Sequence, residues 1–178
     1  MRCKVVILKK NSMIKPFSII IVLGTLFSCT AQPAQSPMKV RTEPRDTTQK
    51  YNELTPQEEK VLLQKATDRA FTGTYYDKKD QGLYICRRCN NPLYTSDDKF
   101  ESHCGWPSFD DEIDGSVIRV PDADGMRTEI ICGNCRGHLG HVFTGEGFTD
   151  KDTRHCVNTS SLRFVPASET KSLPPVIK

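Results

Sequence analysis

The run "RHCVN", residues 154–158, places a thiol, Cys156, two residues from a guanidinium, Arg154, and two from an amide, Asn158. Side chains alternate along a strand, so in an extended run these three share one face and His155 takes the other. A neighbouring cation raises the thiolate fraction of a cysteine, and the thiolate is the nucleophile. The chemistry on offer is attack by sulfur on an electrophile. A buried structural thiol between two solvated polar side chains is the plainer reading of this run alone, but two further runs weigh against it. "CGWPSF", residues 104–109, carries Cys104 and the chain's single tryptophan, Trp106, in a Gly/Pro turn, where sites are commonly placed. "GHLGHVF", residues 137–143, carries His138 and His141 three apart, suited to hydrogen bonding or proton transfer.

Four other cysteines sort by spacing. Cys86 and Cys89 form "CRRC", and Cys132 and Cys135 form "CGNC". A two-residue gap lets both sulfurs of a turn face one centre ~2.3 Å away, and two such turns complete a tetrahedral site. The softness of sulfur and the absence of an open position point to one structural Zn2+ per chain. With 42 residues between the pairs, the metal clips two separate hairpins of one domain. The competing reading is a pair of disulfides or redox-active CxxC units, which an oxidising compartment permits. Each unit here follows a β-type run and precedes no clear helix, unlike a thioredoxin-type motif.

These groups need a scaffold. "LTPQEEKVLLQKATDRA" starts a helix: Thr55 caps, Pro56 suits the first turn, and Glu58 completes a capping box. Val61, Leu62 and Ala66 supply its narrow apolar face. Beyond Gly73 the pattern turns to short β-type runs, "GLYIC", "SVIRV", "RTEIIC", "HVF" and "SLRFV", separated by glycine and Asx residues. The expected fold is mainly β: a single domain of two antiparallel sheets with a short helical N-terminal segment, stapled by a four-cysteine zinc site. It spans residues 51–166, followed by a polar, proline-broken tail, residues 167–178, expected to be flexible.

Upstream, residues 1–28 read as a signal peptide and residues 29–50, proline-rich and poor in large apolar side chains, as a disordered tether. The ending "LFSC" resembles a bacterial lipobox, which makes Cys29 a lipidation site and implies a membrane anchor through an N-terminal lipid. The expected location is the bacterial cell envelope, lipid-anchored and facing the periplasm. Five of the 25 basic residues precede Cys29 and none of the 22 acidic ones does, so a chain starting there carries −2, although the whole sequence carries +3. That balance argues against a nucleic-acid partner.

"FTGTYYD", "CRRCNNPLY", "CGWPSF", "RTEIICGNCRGHLGHVF" and "RHCVNTSSLRF" resemble, in order, the motifs of the B-type peptide-methionine (R)-S-oxide reductases, across residues 52 to 166. The resemblance implies that Cys156 is the catalytic nucleophile and Cys104 the resolving cysteine. It makes His141 and Asn158 catalytic residues suited to hydrogen-bond or protonate the sulfoxide oxygen, with His138 beside them binding substrate, and seats the substrate methyl against Trp106. Arg154 is suited to stabilise the thiolate, and Glu129, in a strand where a glutamate is usually just solvated, is a weaker candidate for the site. The implied substrate is methionine R-sulfoxide in oxidised proteins or peptides, and the implied recycling partner a thioredoxin-like dithiol. Two positions depart from the family pattern: His103 stands where a small residue is common, and Gly145 stands four residues after His141, with Glu146 following, where some members have an acid. A zinc-stabilised binding module and a thiol peroxidase using the same two cysteines are the competing functions.

Overall fold

The computed structural model describes residues 51–178, and the expectations for the signal, the tether and Cys29 lie outside them. One α-helix, α1 (Pro56–Gln64), precedes nine strands: β1 (Gly82–Cys86), β2 (Pro92–Thr95), β3 (Lys99–Phe100), β4 (Ser108–Phe109), β5 (Val117–Pro121), β6 (Thr128–Cys132), β7 (His138–Thr144), β8 (Thr153–Val157) and β9 (Leu162–Pro166). They form a three-stranded sheet, β2-β1-β9, and a six-stranded sheet, β3-β4-β8-β7-β6-β5. All their pairings are antiparallel. The expected class, mainly β with two antiparallel sheets and one short helix, is the observed one.

The capping box forms as expected: Glu58 N donates to the Thr55 hydroxyl, and Thr55 N to the Glu58 carboxylate at 2.8 Å. Val61 and Leu62 are buried, but Ala66 falls beyond the helix because Lys65 turns left-handed at φ 59° and ends it. From that helix end the Lys65 side chain reaches across to β6.

Aromatic rings join the sheets. Tyr94 of β2 stacks on Phe109 of β4 with centroids 4.3 Å apart, and Tyr84 of β1 meets the same ring edge-on at 4.9 Å. On β8, Phe109 faces His155 across the ladder, whereas Ser108 faces Cys156. The period of two therefore sends His155 inward to the core and Cys156 to the outer face. His155 is fully buried, bonded through Nδ1 to the Tyr94 hydroxyl (3.1 Å) and close to Arg119 Nη2 through Nε2 (3.0 Å). Burial, reinforced by the Arg119 charge, pushes its pKa down to about 4.

The segment 167–178 hydrogen-bonds to both CxxC turns. Ile177 N donates to Cys89 O at 2.9 Å, Asn134 Nδ2 to Ile177 O at 2.7 Å, and Asn90 Nδ2 to Pro175 O at 3.0 Å. The two CxxC turns offer asparagine donors that satisfy its carbonyls, and the Ile177 side chain packs on the core. Among the described residues, no helix is long and apolar enough to cross a membrane.

Candidate active site

Three strands bring the polar groups into one row. Cys156 pairs with His141 across β8–β7, and His141 pairs with Glu129 across β7–β6. A regular strand would put His138 and His141 on opposite faces, since an odd separation changes face. The β6–β7 register slips instead, from Ile130↔Gly140 to Ile131↔His138, leaving Leu139 as an extra residue. This bulge brings both imidazoles to one face of the sheet, ring to ring at 5.6 Å. Gly140 permits it, because a Cβ there would stand 2.0 Å from Cys156 O.

Cys156 is a half-buried free thiol. Burial pushes its pKa up, while the Arg154 guanidinium, through charge and a hydrogen bond, acts the other way; the Glu146 charge adds to the rise. Arg154 is itself buried and held bidentately: Nε donates to Glu146 Oε2 at 2.7 Å and Nη2 to Oε1 at 3.1 Å. Its guanidinium lies 4.5 Å from the Phe143 ring centroid. Burial opposes the arginine's charge, but the Glu146 carboxylate and the Cys156 sulfur outweigh it and raise its pKa. The acid displaced by one position, at 146 and not 145, thus still reaches the arginine.

His141 shares a hydrogen bond between Nε2 and Asp122 Oδ2 at 2.8 Å, and this bond, foremost, lowers the Asp122 pKa. Arg127 holds the same carboxylate oxygen at 2.8 Å. His138 shares a hydrogen bond between Nδ1 and Glu129 Oε1 at 2.7 Å, and Lys65 Nζ donates to Glu129 Oε2 at 2.7 Å.

Asn158 lies one residue past β8, buried, with its amide committed to backbone. Its Nδ2 donates to Leu139 O at 3.1 Å and its Oδ1 accepts from Asp68 N at 2.9 Å. Trp106 Nε1 donates to Asp68 O at 2.9 Å, so residue 68 ties the tryptophan turn to the asparagine. The Asp68 carboxylate in turn accepts from Ser160 N at 2.8 Å and Ser160 Oγ at 2.7 Å. Cys104 is buried on the same turn, with Sγ 3.4 Å from Ser102 O. Val157 N donates to Pro107 O at 3.0 Å, which anchors that turn to β8.

Cys86, Cys89, Cys132 and Cys135 are buried free thiols whose sulfurs all lie within 4.8 Å of one another. The Cys86–Cys135 and Cys89–Cys132 sulfurs are 3.6 Å apart. Tetrahedral metal–sulfur bonds of ~2.3 Å require about 3.8 Å between sulfurs. The four residues therefore suit one metal ion. Each turn closes alike, Asn90 N to Cys86 O at 2.9 Å and Arg136 N to Cys132 O at 3.0 Å, with residues 90 and 136 left-handed. Cys86 ends β1 and Cys132 ends β6, so the cluster joins the two sheets.

Asp122 and Asp68 escaped the sequence reading. Asp122 sits in "PDADG", where an aspartate reads as a turn former, and Asp68 is 90 residues from the asparagine it positions. Nothing local distinguishes either one.

The geometry defines a β domain stapled by a cluster of four thiols, bearing a cysteine-centred polar face. Residues 54–166 match the SelR domain family, and the chain belongs to it. Peptide methionine sulfoxide reductase B2, chloroplastic, of Arabidopsis thaliana is 52% identical over 118 residues, 66% of this chain and 58% of that protein. Peptide methionine sulfoxide reductase B3, chloroplastic, of Oryza sativa subsp. japonica is 50% identical over 121 residues, 67% of this chain and 53% of that protein. Peptide methionine sulfoxide reductase B5 of the same rice is 50% identical over 116 residues, 65% and 85% of the two chains. The chain thus spans little more than half the length of the first two relatives.

These relatives correct the expected location. They are plant proteins, two of them named chloroplastic, and they give no support to a lipid-anchored seat in a bacterial envelope. The reason is physical: a basic, acid-poor start before a short apolar run is shared by several kinds of targeting segment, so composition alone does not choose between compartments.

Proposed function

We propose that residues 51–166 form a reductase domain that returns methionine R-sulfoxide in oxidised proteins or peptides to methionine. The pairing of the free thiol Cys156 with His141 across β8–β7 supports this most directly, together with membership of the SelR domain family. The Cys156 sulfur attacks the sulfoxide sulfur, methionine leaves as the thioether, and the oxygen stays on Cys156 as a sulfenic acid. The thiol's proton ends on that oxygen, so one thiol and one sulfoxide yield one sulfenic acid and one thioether. Cys104, once reduced to the thiol, then condenses with the sulfenic acid, releasing water and forming a disulfide. A thioredoxin-like dithiol reduces it by exchange.

A sulfoxide is a poor electrophile until its oxygen is hydrogen-bonded or protonated, and His141, opposite Cys156 with His138 beside it, is the group suited to that task. Asn158, its amide held by Leu139 O and Asp68 N, shapes the pocket wall. Trp106 seats the methyl group of the substrate, and Arg154 favours the thiolate. Zn2+ bound by Cys86, Cys89, Cys132 and Cys135 would hold the sheets together without entering the reaction.

The test is an epimer-resolved assay on the reduced, metal-loaded protein. The expected result is consumption of the R epimer only, abolished by Cys156→Ser with fold and metal retained. Inertness of the wild type towards both epimers, or full activity of the variant, would refute the assignment.

A further inference from the structure

Glu129 is 1% exposed, an unusual place for a strand carboxylate. It has two partners, Lys65 Nζ and His138 Nδ1, each at 2.7 Å. A carboxylate accepts and does not donate, so Nδ1 carries a hydrogen. A neutral imidazole has one N–H, which leaves a lone pair on Nε2. His138 is 3% exposed, and its Nε2 has no hydrogen-bond partner among the described residues. Leaving such an atom unsatisfied costs about 1–3 kcal/mol, which a hydrogen-bond donor arriving beside it would recover. The ring that carries this orphan nitrogen packs edge-on against His141, the cross-strand neighbour of Cys156.

We infer that Glu129 is a positioning residue: with Lys65 as its counter-ion, it holds His138 as the Nδ1–H tautomer and leaves Nε2 as a buried, unpaired acceptor beside the site. The chemistry rests on the reductase reading, in which the thiol proton of Cys156 has to reach the departing oxygen. A neutral Nε2 takes up one proton, or a water carrying it, and returns it, leaving the balance unchanged. The tautomer, by contrast, is a property of the resting domain.

The charged groups facing His138 act in opposite senses. Burial is the largest influence and lowers its pKa; Glu129 raises it, and His141 and Lys65 lower it. Replacing Glu129 therefore moves the His138 titration to lower pH, and replacing Lys65 moves it to higher pH. Imidazole 15N spectra of the metal-loaded full chain, with a pH titration, read both. The expected wild-type state is Nδ1–H. Glu129→Gln is expected to titrate lower and to lose about 100-fold in kcat with KM nearly unchanged. Lys65→Asn, which suits the left-handed cap, is expected to titrate higher. Because Lys65 is on the surface, that arm survives even where the buried substitution costs stability. An Nε2–H tautomer in the wild type, or shifts that are absent or of one sign, would overturn the inference. A wild type inert to both sulfoxide epimers but with this tautomer and opposed shifts supports the positioning and refutes the reductase reading.

Discussion

Gly140 of β7 lies against the Cys156 carbonyl so closely that a Cβ at 140 would stand 2.0 Å from that oxygen and 3.2 Å from Val157 Cα. The obstacles are backbone atoms, which cannot swing aside as a side chain can. Gly140→Ala is therefore expected to push β8 away from β7. Overpacking of this kind costs about 1–3 kcal/mol, and a displacement of ~1 Å at a reacting group can cost about 100-fold in rate. Chemical denaturation alongside sulfoxide turnover checks this: activity should fall further than stability accounts for. Wild-type activity in a folded variant would mean that the strand separation is not critical.

Arg154 is the group that opposes the rise in the Cys156 pKa on burial. In Arg154→Met that opposition is gone, so the thiol titrates at higher pH and its thiolate fraction at neutral pH falls. Each unit of that rise lowers the thiolate fraction about tenfold below the pKa. Alkylation by iodoacetamide, followed at Cys156 by mass spectrometry across pH, measures it. The profile should move to higher pH, with Arg154→Lys between the two. A profile that stays put would remove Arg154 from the control of the thiol.

A metal ion held by the four thiols would tie the sheets, and its loss should separate them, because the two turns end β1 in one sheet and β6 in the other. With a contribution on the order of 10 kcal/mol in small zinc peptides, Cys132→Ser or a strong chelator should lower Tm by about 20 °C or more. Elemental analysis should give one zinc per chain. The C-terminal segment should become protease-sensitive at the same time, since Asn90 and Asn134 hold it only when the turns are formed. A metal-free protein with unchanged Tm would show that the thiols suffice.

Cys104 sits on the turn anchored to β8 through Pro107 O. Cys104→Ser is expected to release one methionine per chain and then stall with a thioredoxin-type reductant, with Cys156 trapped as sulfenic acid. A dimedone-type probe detects that species by mass. Normal steady-state cycling would mean that another thiol resolves.

The local chemistry was legible in the chain itself. Cys86, Cys89, Cys132 and Cys135 announce a thiol cluster that suits a metal ion, because two-residue gaps constrain both sulfurs of each turn. Thr55, Pro56 and Glu58 announce the helix start because capping is satisfied within a single turn. The alternation at residues 154–156 separates Arg154 and Cys156 from His155, which follows from the strand period alone. Glu146 was visible as an acid near the site, but its grip on Arg154 was not.

Tertiary structure decided what depends on register and on contacts far apart in the chain. The slip between Ile130 and Ile131 brings His138 to the face of His141, and no alternation rule reveals a bulge before the strands pair. Asp122 reaches His141 across a hairpin, Asp68 reaches Asn158 over 90 residues, and Ile177 docks on Cys89 from near the far end of the chain. Sequence specifies the groups and their local geometry because those energies act within a few residues. Their mutual placement is set by sheet pairing and burial, which only the folded chain supplies.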